Sequence, residues 1–85
     1  MARKSHKVCS DITDLVLKDK DVLVWDNTDG ADDCTVTGCQ PALECDSYTI
    51  LAGKTCDANT ANVWDQRYHC DCGHDKKSDP RLIVK

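Results

Sequence analysis

Apolar residues along this chain come in short bursts separated by polar, turn-forming stretches, and the bursts define the predicted elements. Ser10-Asp11 can cap a short helix near residues 10–18, with Ile12, Leu15 and Val16 at helical spacing. A competing reading joins Leu15-Val16-Leu17 and Val22-Leu23-Val24-Trp25 as a hairpin across Lys18–Asp21. The second of these segments, β-branched and aromatic, is predicted as a strand. Residues 26–33 read as a loop around the turn pair Asp29-Gly30. Thr35–Thr37 is a short strand ending at Gly38, and Pro41 interrupts the next stretch of chain. Tyr48–Leu51 is a strand closed by Gly53. Residues 57–62 are polar and turn-rich, and residues 62–72 form the last strand of the core. The ends look peripheral. Residues 1–9 are expected as a flexible basic arm, 10–75 as a single disulfide-stabilised domain, and 76–85 as a basic C-terminal tail in which Leu82-Ile83-Val84 docks as an edge strand or frays. The expected fold class is small, disulfide-rich and mostly β: short antiparallel strands, long loops and at most one short helix.

Size decides what must hold such a fold together. Eighty-five residues make one domain. Leu, Ile and Val total 16, Phe is absent, and the aromatics are Trp25, Tyr48, Trp64 and Tyr68. A core of this kind supplies only about 3–5 kcal/mol. Seven cysteines offer the remainder, since three bridges at about 2–4 kcal/mol each match the stability of an ordinary domain. The expectation is that Cys34, Cys39, Cys45, Cys56, Cys70 and Cys72 form three disulfides. Cys70 and Cys72 share a face of a strand, so each is expected to bond a different upstream cysteine. Cys9, far from the rest in sequence, is the expected free thiol and a route to a disulfide-linked dimer.

Bridges imply an oxidising compartment, so the expected localisation is secreted. No apolar run of 7–15 residues follows the basic start, which fits a mature form carrying an added initiator Met. No N-x-[ST] sequon occurs.

Charge narrows the partners. The formal net charge is −4, but residues 8–75 carry 14 acidic against four basic residues, while each end carries +3. An acidic body excludes nucleic acid and docking on anionic lipid, and nothing in the chain supports membrane insertion. An extracellular or host protein, or a glycan, is the expected partner. The excess of Asp over Glu reflects turns, which Asp favours, more than chemistry.

Motifs offer few specific chemistries. Placing Gly30 at position 6 of a calcium loop puts Trp25 at position 1 and Val36 at position 12, and neither supplies the carboxylate required there. Catalysis lacks support: an acidic body opposes a reactive thiolate. No cofactor is expected. Zinc is the alternative staple, through Cys34, Cys39, Cys70, Cys72 and His74, and would make the chain an intracellular module. Lys76-Lys77 can serve as a processing site or a solvated tail. The stretch from Cys56 to Asp71, with Trp64-Asp65, Tyr68 and Cys70-Asp71, resembles the second half of a peritrophin-type chitin-binding domain, though without its Gly after the first Cys and its Pro after Cys-Asp. That resemblance implies sugar stacking on Trp64 and Tyr68, with Arg67 between them. The leading expectation is a secreted, non-enzymatic, effector- or toxin-like protein that binds a macromolecule; a chitin or glycan-binding module and a zinc module are the alternatives.

Overall fold

A computed structural model describes residues 2–9, 14–73 and 79–85. Nine strands make up the regular structure, and no helix occurs among the described residues. They are β1 (Arg3–Lys7), β2 (Leu15–Leu17), β3 (Val22–Asp26), β4 (Cys34–Thr37), β5 (Tyr48–Ile50), β6 (Thr55–Asn59), β7 (Trp64–Arg67), β8 (His69–Asp71) and β9 (Arg81–Val84). The protein is therefore small, mostly β and disulfide-bonded, as its cysteine count and turn chemistry imply.

One sheet has the order β1-β3-β6, a second β2-β9-β7, and a third β5-β4-β8. Only Tyr68 separates β7 from β8, so the second and third sheets share one long, bent strand. Most pairings are antiparallel, but β1 lies parallel to β3 and β2 parallel to β9. Alternation explains which faces meet. Leu23 and Trp25 point inward from β3, Cys34 and Val36 from β4, Leu82 and Val84 from β9. With Leu15, Leu17, Leu43, Ile50 and Tyr68 they form one continuous core.

Several expectations change. Leu15–Leu17 is a strand, but it pairs with β9 and not with β3, so the turn at Lys18–Asp21 carries the chain between sheets. Within that turn Lys20 takes a positive φ of 74°, and the Asp21 carboxylate accepts a bond from the Lys18 amide at 3.0 Å. The helix cap at Ser10-Asp11 and Ile12 lies outside the described residues. The basic arm is not loose: Arg3–Lys7 adds an edge strand to β3, and the Arg3 guanidinium grips both Asp57 oxygens at 2.9 Å. Nor is the C-terminal end a tail, because β9 is the central strand of its sheet. Residues 55–59, read in part as a turn region, form β6, which buries only Ala58 and is held by backbone pairing to β3.

The loop after β3 is organised by Asn27. This buried amide donates to the Asp32 carbonyl at 2.9 Å and the Ile50 carbonyl at 3.0 Å, while the Asn27 backbone carbonyl accepts from Gly30 and Gly53. Gly30 is required there, since a Cβ would sit 1.9 Å from Asn27 Oδ1. Asn27→Ala strips the buried Ile50 carbonyl of this donor. The expected loss is about 1–3 kcal/mol in urea unfolding, with faster amide exchange across residues 28–33.

Candidate functional site at the sulfur-rich end of the sandwich

Three chain segments converge at one end of the molecule. Cys9 follows β1 and takes a positive φ of 60°. Cys34 opens β4. Cys70 and Cys72 flank the end of β8. Antiparallel pairing of Thr35 with Asp71 and Val36 with Cys70 sets Cys34 directly across from Cys72, Cα to Cα 4.1 Å. The two are bridged, and a second disulfide joins Cys9 to Cys70 across 61 residues of sequence. The sulfurs of Cys9, Cys34 and Cys72 all lie within 4.8 Å of one another, and Cys70 is bonded to the first of them.

This arrangement corrects the cysteine assignment. Cys9 is bridged and buried, so it supplies no free thiol for a dimer. Cys39, Cys45 and Cys56 are thiols, two bridges take the place of three, and the upstream partners of Cys70 and Cys72 are Cys9 and Cys34. Sequence distance is a poor guide to Cys9: parallel pairing of β1 with β3 carries it to the end of β8. The expected zinc set is also divided, because Cys39 is not part of the cluster and His74 lies outside the described residues.

Beside the Cys34–Cys72 bridge opens a cleft of about 230 Å³. Its walls come from Lys7 and Val8, Asp26 and Asn27, and the loop from Asp29 to Asp32. Lys7 reaches Asp29 at 3.1 Å. The Thr28 hydroxyl and amide donate to Asp26, at 2.6 and 2.9 Å, and hold its carboxyl below the usual carboxylate range. The cleft is thus acidic, and sulfur forms one wall of it.

The expected sugar surface does not assemble. Trp64 is 51 % exposed, with Val63 beside it at 60 %, but Tyr68 is only 3 % exposed. Tyr68 faces the core, its ring 5.4 Å from that of Trp25 and its hydroxyl 3.5 Å from His6 Nε2. Arg67 is exposed and donates to the Asp79 carbonyl at 2.7 Å.

The three thiols differ in reactivity. Burial, reinforced by Asp46, pushes the Cys39 thiol up to about 12. Burial and then Asp57 also raise Cys56, whereas Cys45 is exposed. With iodoacetamide at pH 8, Cys45 is expected to react first, Cys56 more slowly, and Cys39 only on unfolding; peptide mapping of a time course checks the order. Equal labelling of Cys39 and Cys45 in the folded protein would contradict its burial. The same shift sets a pH dependence. A thiol whose value rises from 9.0 unfolded to about 12 folded has no effect on stability below pH 9; above it the unfolded chain ionises first, and stability falls progressively up to about pH 12.

No family model matches the sequence, and no curated protein matches it. Strand order nevertheless defines a small all-strand fold of three three-stranded sheets. Among solved structures the chain is similar to the oxidised M98K mutant of amicyanin, at a TM-score of 0.65 and 12 % identity, over 96 % of this chain and 81 % of that one. At that identity the likeness concerns the fold alone. Of the described histidines, His6 packs edge-on against Trp25 and His69 bonds Asp79 at 3.0 Å, while the clustered sulfurs are bridged.

Proposed function

We propose that this chain is a secreted, non-enzymatic binding protein whose working end is the sulfur-lined acidic cleft. The observation that carries the reading is a cleft lined by the Cys34–Cys72 bridge, with the sulfur of Cys9, bridged to Cys70, within 4.8 Å of that pair. Two bridges fix the cleft's geometry before any ligand arrives, and preorganisation of this kind lowers the ordering cost of binding. The acidic lining favours a cationic ligand or a basic segment of a partner. The bridges support secretion, because disulfides persist in oxidising compartments. The test is alkylation in denaturant, without reductant, of protein taken from its natural source. Three blocked thiols with two intact bridges support the reading; seven blocked thiols overturn it.

A second reading rests on Trp64 alone, whose half-exposed ring adjoins exposed Val63. Chitin oligomers stacking there would change tryptophan fluorescence, and Trp64→Ala would abolish the change. Unchanged fluorescence at saturating oligomer rejects it.

A further inference from the structure

We propose that, once both bridges are reduced, Cys9, Cys34, Cys70 and Cys72 hold one thiophilic d10 cation in a tetrahedral site, so that the same four sulfurs serve either as two disulfides or as one metal centre. The inference rests on the cleft being the working end, and it names the ligand class.

Geometry carries it. A tetrahedral zinc–thiolate site has metal–sulfur bonds of about 2.3 Å, which places its sulfurs about 3.8 Å apart. Three of the four sulfurs already lie within 4.8 Å of one another, and the fourth is one bond from Cys9. Side-chain rotation converts bonded pairs into ligand spacing wherever β-pairing keeps the backbone in place, and metal binding restores the cross-link that reduction removes. Cys34 and Cys72 are placed by the register of β4 with β8, and Cys9 by the extension of β1, where the Val8 amide bonds the Asp26 carbonyl at 2.9 Å. Cys70 and Cys72, two residues apart, leave the same face of one strand. The site has an entry path, since Cys34 and Cys72 line the cleft and Cys72 is only partly buried. The neighbouring Asp26, Asp29 and Asp32 draw cations toward it.

The chemistry balances. Two equivalents of a dithiol reductant each give two electrons and two protons to one bridge, yielding four cysteine thiols and two molecules of oxidised, cyclic disulfide. A divalent cation then displaces up to four protons to water and forms four metal–sulfur bonds. Two equivalents of an oxidised cyclic dithiol, each accepting two electrons from one thiolate pair and two protons from water, restore the two bridges and release the metal. Soft thiolates select zinc-like or cuprous ions over magnesium or calcium.

The experiment uses the full chain carrying Cys39→Ser, Cys45→Ser and Cys56→Ser, which removes every other thiol. Reduced under argon and titrated with Cd2+, it is expected to bind one equivalent, with a thiolate-to-cadmium charge-transfer band and release of protons. The oxidised form is expected to bind none. Adding Cys34→Ser weakens binding at least tenfold. If the reduced chain unfolds, regain of its β circular dichroism on adding metal is the equivalent result. Two outcomes overturn the inference: no charge-transfer band with excess Cd2+, or a band in the parent chain that needs Cys39, Cys45 or Cys56. Either leaves the alkylation of the natural protein unaffected, so the two proposals fail separately.

Discussion

Trp25→Ala is expected to lower the unfolding free energy by about 3–5 kcal/mol. Trp25 is fully buried on β3, the central strand of its sheet, in a chain without Phe. His6 meets the indole edge-on at 6.0 Å and Tyr68 lies 5.4 Å away, so truncation empties a space whose walls come from both layers. Neighbouring side chains cannot collapse into it without moving β1 or the bend between β7 and β8. Trp25→Phe is expected to cost less, because it keeps a ring in place and gives up an indole N–H that has no partner. Urea unfolding of the three proteins at equal m-value checks the order. A loss within about 1 kcal/mol for the Ala variant would mean that the core is not organised around this ring. Trp64→Ala is the control: its half-exposed side chain should change stability by no more than about 0.5 kcal/mol.

That contrast also measures what the sequence makes legible. Two tryptophans look alike in composition, but Val22-Leu23-Val24-Trp25 alternates as a half-buried strand does, and the chain around Trp64 does not. Strands that carry their own apolar face are readable, as at Val22–Trp25, Thr35–Thr37 and Tyr48–Ile50. Strands held only by backbone pairing are not. Arg3–Lys7 buries no side chain fully, and Thr55–Asn59 buries only Ala58, so neither has a hydrophobic signature to read. Leu82–Val84 has one, yet its position at the end of a charged segment suggests a tail, and only long-range pairing with β2 and β7 makes it central. The site stays hidden for the same reason. Local strand geometry is enough to show that Cys70 and Cys72 reach two upstream partners. That one partner is Cys9 depends on a parallel pairing that leaves no mark in local sequence.

Removing either bridge is expected to cost about 4 kcal/mol in the chain-entropy account, with the 61-residue loop costing only about 0.4 kcal/mol more than the 38-residue one. For a domain of this size that lowers Tm by about 15–30 °C. Because the whole stability of such a domain is about 5–15 kcal/mol, the chain lacking both bridges, with no metal added, should not hold its fold at 37 °C. The two paired-serine variants should nonetheless differ in kind. Cys34–Cys72 joins β4 to β8, which are already neighbours in one sheet, so Cys34→Ser with Cys72→Ser removes a constraint inside a ladder that its hydrogen bonds still define. Cys9–Cys70 ties the edge strand β1 to β8 in another sheet, and β1 has little side-chain burial of its own. Cys9→Ser with Cys70→Ser should therefore free that edge below the global transition. Hydrogen exchange reads this directly: amides of Arg3–Lys7 should exchange faster in the second variant than in the first, while those of β9 change equally in both. Equal protection of β1 in the two variants would show that pairing with β3, and not the sulfur bond across the sheets, keeps the first strand in place.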